Sequence, residues 1–187
     1  MTNEKKIKVL GIAGSLRQGS FAKALLNNAK NLVPENMELE IFDIKDIPVF
    51  NQDFENDLPE SIKIFKEKIK AADAILFVTP EYNYSIPGGL KNAIDAASRP
   101  YGNNSWEEKP VAIMSSSMGM LGGSRAQYHL RQVLVFLNMH ALNRPEVMVP
   151  MVQDKFDDKL ILTDDKTKQA IAEQLKALDA WTRKLID

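Results

Sequence analysis

Between an apolar run (Ile7, Val9, Leu10, Ile12) and an amphipathic segment lies a short loop carrying Gly14, Ser15, Arg17, Gln18, Gly19 and Ser20. Two hydroxyls, an amide, a guanidinium and small residues thus converge between a strand and a helix. A helix starting near Ser20 directs its unpaired N–H groups and positive dipole end back at the loop. An anion, most simply a phosphate, fits such a place. A P-loop requires Lys after the second glycine of G-x-x-x-x-G, and Ser20 stands there instead. A dinucleotide fingerprint requires G-x-G-x-x-G, which Gly11, Gly14 and Gly19 do not form. A hydroxyl-rich loop with one arginine suits a terminal phosphomonoester. The simpler alternative is a tight turn in which Ser20 only caps the next helix.

Composition sets the class. The chain has 187 residues, 44% of them hydrophobic and 26% charged, as in a soluble globular α/β domain. A net charge of −1 recruits neither nucleic acid nor an anionic membrane, and no apolar run approaches the ~20 residues of a membrane span. The chain lacks cysteine, which excludes disulfides, thiolate metal sites and cysteine catalysis, so redox chemistry needs a bound cofactor. MTNEKKIKVLG enters a strand without a signal-peptide pattern, so a cytoplasmic protein is expected.

The elements that must position the loop follow from periodicity. Strands are expected at Lys6 to Gly11, Met37 to Phe42, Ala74 to Val78, Val111 to Met114 and Glu146 to Val149. Helices are expected at Ser20 to Leu32, Glu60 to Ala71, Gly88 to Ser98, Ser124 to Leu137 and Asp165 to Ile186. A long loop, Asp43 to Pro59, separates the second strand from the second helix. This alternation implies one domain, a parallel five-stranded sheet with helices on both faces, for which 2-1-3-4-5 is one of the two common strand orders. Ligands of such sheets bind beyond the carboxyl ends of the strands, where strand order reverses. The three chemically unusual loops follow the first, third and fourth strands, which are neighbours in that order. The third-strand loop holds Pro80, Glu81, Tyr82, Asn83, Tyr84 and Ser85; the fourth holds Ser115, Ser116, Ser117 and Gly119. Aromatics and amides on one side, and small residues on the other, suit a flat heterocycle. Phosphate at one end and a planar ring at the other describe a mononucleotide such as FMN.

GSLRQGSFAKAL, PEYNYSIPGGLKNAIDAASRP and SSSMGMLGGSRAQYHLRQVL resemble, in order, the NAD(P)H-dependent FMN reductase family with its quinone, azo-dye and chromate reductases. The resemblance implies a flavodoxin-like fold with bound FMN. It implies that Ser15, Arg17, Gln18, Gly19 and Ser20 hold the phosphate, that Pro80, Glu81, Tyr82 and Asn83 lie along the isoalloxazine, and that Ser115, Ser117 and Gly119 border its other edge. Many members carry Asn where this chain has Ala22, which removes one phosphate contact. The implied chemistry is hydride transfer from NADH or NADPH to the flavin, then two-electron reduction of a small-molecule acceptor such as a quinone, azo compound or free flavin. That cycle is ping-pong and needs no catalytic side chain. A flavodoxin-type carrier is the alternative, but carriers are usually strongly acidic. A flavin-free dehydrogenase lacks its glycine fingerprint. The family also forms dimers or tetramers, so Arg125 and Tyr128 are expected to reach Glu146 of a neighbouring subunit, with Arg131 on the same helix face.

Other residues have plainer readings. His129 and His140 lack the clustered partners of a metal site. Tyr82 is expected against the ring, whereas Tyr84 either joins it or packs in the loop. Asp43 is read as a turn residue rather than a ribose carboxylate. Trp106 either covers a pocket or packs on a neighbour, and Lys66 to Lys70 is read as a solvated helix face.

Overall fold

In the computed structural model, which describes residues 5–186, a six-stranded sheet is covered by helices on both faces. Residues 1–4, expected to lead into the first strand, lie outside the described residues. In chain order the elements are β1 (Ile7–Ala13), α1 (Phe21–Ala29), β2 (Met37–Phe42), α2 (Glu60–Ala71), β3 (Ala74–Pro80) and α3 (Gly88–Ser98). There follow β4 (Pro110–Ser116), α4 (Ser124–Phe136), β5 (His140–Ala141), β6 (Val147–Val149) and α5 (Asp165–Ile186). The order β2-β1-β3-β4-β5 is entirely parallel. The parallel sheet expected from the alternating pattern, and the flavodoxin-like order implied by the family resemblance, are therefore present.

β3 and β4 are apolar nearly throughout because both faces are covered. One face packs against α2, α3 and α4 through Phe65, Leu90, Ile94, Leu130 and Leu134; the other packs against α1 and α5 through Leu25, Leu26, Ile171 and Leu175. Trp106 packs rather than covers a pocket: it is fully buried, sits 5.6 Å from both Phe65 and Phe77, and donates its indole N–H to the Ile94 carbonyl at 2.9 Å.

Three expectations need correction. The last strand is split: His140–Ala141 pairs with the start of β4, and Val147–Val149 pairs with its end. Two buried glutamines bridge the interruption. Gln174 donates to the carbonyls of Ile113 and Pro145, and Gln127 to Val147 O and Ser115 Oγ, so side-chain amides replace missing ladder bonds. Helix α1 stops at Ala29 rather than Leu32, because the chain tightens into i→i−3 bonds from Asn31 and Leu32 ahead of Pro34. Lys66 is not solvated; it is buried, and its ammonium donates to the carbonyls of Ala97, Arg99 and Asn103 at 3.0, 2.5 and 2.7 Å. Burial, and then the charge of Lys70, lowers its pKa from 10.5 to about 8. Lys68 and Lys70 are on the surface, on Glu40 and Asn103. No helix among the described residues is long and apolar enough to cross a membrane.

Candidate functional site

A cleft of about 490 Å³ opens at the carboxyl ends of β1, β3 and β4, within the ~300–1,000 Å³ typical of small-ligand sites. The β1–α1 loop forms one end. Ser20 caps α1, its hydroxyl oxygen accepting from Lys23 N at 3.3 Å, and Ser15 Oγ accepts from Arg17 N at 3.4 Å. Both hydroxyl protons remain available to a ligand. The first amides of α1, those of Phe21 and Ala22, have no protein acceptor among the described residues. The exposed Arg17 guanidinium lies 5.9 Å over the Phe21 ring and has no carboxylate partner among the described residues. This cluster of unmet donors suits a dianionic phosphate ester.

The β3 loop forms the side. Tyr82 and Ser85 exchange two backbone hydrogen bonds at 2.9 Å, closing a two-residue turn in which Asn83 and Tyr84 have φ of 49° and 65°. Positive φ at both central residues is the primed hairpin geometry. Tyr84 is an unusual residue for it, and α4 holds it there. Arg125 stacks its guanidinium 3.6 Å over the Tyr84 ring and pairs with Glu81, while His129 Nδ1 meets Ser85 Oγ at 3.0 Å. Glu81 also accepts from Ala126 N at 3.4 Å. Helix α4 begins after Gly123 without a side-chain cap of its own, so a carboxylate from another loop serves its positive end.

The β4 loop forms the far wall. Gly122 and Gly123 have φ of 59° and 80°, and a Cβ on Gly122 would stand 2.8 Å from the Met148 carbonyl carbon. Only glycine lets this loop lie against β6. Ser117 is fixed by accepting from Gly119 N at 3.0 Å and from Val152 N, through its carbonyl, at 3.1 Å.

Seven of the predicted residues meet on the cleft: Ser15, Arg17, Ser20, Pro80, Glu81, Tyr82 and Ser117. Gln18 faces a second groove behind the loop, and Gly19, Asn83 and Gly119 do not line the cleft. Ser115 is fully buried, its hydroxyl donating to Gly122 O at 2.8 Å and accepting from Gln127. The lining also includes Phe21, Ser116, Met118 and Val152. Ser116 and Met118 sit within the recognised serine loop, whereas nothing local in the sequence points to Val152. Ala22, expected to leave out one phosphate contact, lines the cleft too.

Glu146 accepts from Tyr128 at 3.2 Å and lies 3.7 Å from Arg131, all within one chain, while Arg125 turns to Glu81. The expected partners of Glu146 are therefore met in part internally. His140 contacts Glu108 at 2.6 Å on the edge strand, away from the cleft. Asp43 caps a 3₁₀ turn through Lys45 N, as its turn reading anticipates.

These donors fit FMN: unmet anion-binding groups at one end, and beside them a slot between a pinned aromatic turn and a wall of serines. The sequence pattern of the NADPH-dependent FMN reductase family matches residues 7–154. The chain is 53% identical to an NAD(P)H-dependent FMN reductase of Pseudomonas aeruginosa, covering 96% of this chain and 97% of that one. It is 46% identical to an NAD(P)H:quinone oxidoreductase of Solanum tuberosum, over 99% and 97% of the two chains. Among solved structures, FerB, a flavoenzyme NAD(P)H:(acceptor) oxidoreductase from Paracoccus denitrificans, superposes with a TM-score of 0.88 at 35% identity, covering 96% of this chain and 98% of that one. With the cleft, the sheet order and these likenesses in agreement, the chain belongs to the NADPH-dependent FMN reductase family, flavoenzymes that use FMN and a nicotinamide coenzyme.

Proposed function

We propose that the whole chain acts as one FMN-binding domain that oxidises NADH or NADPH and passes two electrons to small acceptors such as quinones, azo compounds or free flavin. The observation that carries this reading is the pairing, in one cleft, of an unmet phosphate cradle with a ring-sized slot. FMN, when bound, supplies the two-electron chemistry that no side chain here can perform. Ser15, Arg17, Ser20 and the first amides of α1 would hold its phosphate. Pro80, Glu81 and Tyr82 would border one side of its ring and Ser116 and Ser117 the other, with Gln18, Gly19, Asn83, Ser115 and Gly119 shaping the loops behind them. Donor and acceptor would use the same exposed face of the bound ring in turn, which gives ping-pong kinetics. No side chain is assigned as a catalytic acid, base or nucleophile.

The protein should be yellow, and anaerobic NADH or NADPH should bleach its visible bands. Persistent bands would leave a carrier reduced by another protein. A colourless protein that FMN cannot reconstitute would end the reading.

Assembly into a dimer or tetramer is part of the proposal, with the protein acting in the cytoplasm. The outer side of α4 supports it: Tyr128, Val135 and Phe136 are 53%, 79% and 79% exposed, an apolar strip beside Arg125 and Glu146. Sedimentation of a monomer at micromolar concentration would reject the assembly.

A further inference from the structure

Ser15, Ser20, Ser116 and Val152 line the cleft and are buried, so they form its floor. Tyr82 and Met118 line it too, yet are 49% and 64% exposed, so they stand at its mouth. The sheet sets these two side by side. Pro80 and Ser116 are register partners on β3 and β4, and Tyr82 and Met118 each lie two residues further along.

The backbone on either side of Met118 is fixed. Ser117 N donates to Val149 O at 3.1 Å, Ser117 O accepts from Val152 N at 3.1 Å, and Gly119 O accepts from Met151 N at 3.2 Å. Met37, Met114 and Met139 are buried and fill the core, the usual place of a thioether. Met118 instead holds an unbranched apolar side chain in solvent, on a rigid base, at the entrance to the cleft. Charge points the same way. Among the described residues, the charged side chains that line the cleft are Arg17, at the phosphate end, and Glu81, which is spent on Arg125 and on the amino end of α4. The mouth therefore offers a thioether and an aromatic ring, and its lining holds no cation to answer an anionic substituent.

We propose that Met118 selects the electron acceptor: its thioether packs on a neutral, apolar aromatic ring and favours it over the same ring carrying an anionic group. This deepens the FMN reading of the cleft and rests on it. A thioether with three rotatable bonds adapts to rings of different size, so one residue serves several apolar acceptors.

The probes are a methylated naphthoquinone and the corresponding naphthoquinone sulfonate, titrated without nicotinamide into the oxidised, FMN-loaded protein. No electrons move under these conditions, and the shift of the visible flavin bands reads affinity directly. The variants are Met118→Gln, Met118→Leu and, as a control, Met120→Gln; Met120 is 78% exposed on the same loop but does not line the cleft. Wild-type protein should bind the methylated quinone roughly tenfold more tightly than the sulfonate. Met118→Gln should weaken the methylated quinone roughly fivefold and the sulfonate by less than about twofold, while Met118→Leu and Met120→Gln should each keep both within about twofold of wild type. A wild-type protein without the preference, or a Met118→Gln variant that retains it, overturns the proposal. An equal loss in Met118→Leu or Met120→Gln overturns it too, because then neither the apolar character nor the position of Met118 is what counts. Weakened FMN binding with the preference intact overturns it by placing Met118 against the flavin alone. A wild-type protein that takes up no FMN overturns the FMN reading and this proposal together, and that result shows before any quinone is added.

Discussion

Arg17 and Lys66 are both cations on loops or helices of the same sheet, yet the protein treats them oppositely. Arg17, at the carboxyl end of β1, is exposed and finds no carboxylate among the described residues. Lys66 is buried on α2 and ends among three carbonyls where α3 stops and the chain turns back toward the amino end of β4. Lys109 repeats the pattern nearby, donating to Lys70 O and Ala72 O at the end of α2 at 3.0 and 2.6 Å. A cation near helix carboxyl termini satisfies orphan carbonyls and the negative dipole end, and so serves the fold. A cation near a helix amino terminus adds positive charge to positive charge. Beyond the stacking of Arg17 on Phe21, the phosphate proposed for the cleft would answer that charge. The contrast separates the two ends of the sheet into a binding end and a stability end.

The comparison breaks if removing the Lys66 ammonium alters binding, or if removing the Arg17 guanidinium alters stability. Lys66→Met should leave three carbonyls without their donor and destabilise the fold by about 2–4 kcal/mol, read from urea unfolding, with FMN affinity of the folded fraction unchanged. A neutral result would mean that water satisfies those carbonyls equally well. Gly122→Ala lies at the binding end but is structural; its Cβ meets Met148 backbone at φ +59°, so a loss of about 1–3 kcal/mol is expected together with weaker FMN binding.

Arg17→Ala should do the opposite of Lys66→Met. FMN affinity should fall by about 1.5–3 kcal/mol while the melting temperature of the apoprotein stays put, and unchanged affinity would remove Arg17 from the phosphate site. Asp164, just before α5 and on the cleft's side of the sheet, tests stability by pH. Its carboxylate takes the side-chain hydroxyl of Thr167 at 2.7 Å, its amide at 2.9 Å, and Lys155 at 3.1 Å, and these hold its pKa at about 2. A depressed carboxyl pKa stabilises above the unfolded value near 3.8, and that stability is lost as pH falls toward about 2. Asp164→Ala should cost about 1 kcal/mol near neutral pH, and the difference from wild type should vanish across that window. The smallest effect is expected at Gly119. Its added Cβ would meet only Ser117 Oγ at 3.6 Å, so Gly119→Ala should keep FMN affinity within about twofold. A large loss there would put Gly119 back against the ring.

The sequence by itself determined whatever is written locally. Alternating apolar runs and helical periods gave a parallel sheet covered on both faces, because a strand followed by a helix in steady alternation leaves few other packings. The hydroxyl-rich turn before α1 and the small residues after β4 marked the cleft for the same reason: such loops are chosen for free backbone and short side chains. Only the tertiary structure decided what depends on partners distant in the chain. Lys66 read as a solvated face because nothing in its own helix shows the carbonyls 31 to 37 residues later that bury it. Glu81 reads as a ring contact, yet its carboxylate is spent on Arg125 and on the amino end of α4, 45 residues away. Ser115 looked as available as Ser117 until packing turned its hydroxyl inward to Gln127 and Gly122. The break between β5 and β6 stayed hidden because its stitching, by Gln127 and Gln174, comes from two helices on opposite faces. A period in the sequence reports which face of an element is buried; it carries no record of which polar group from elsewhere will arrive to meet it.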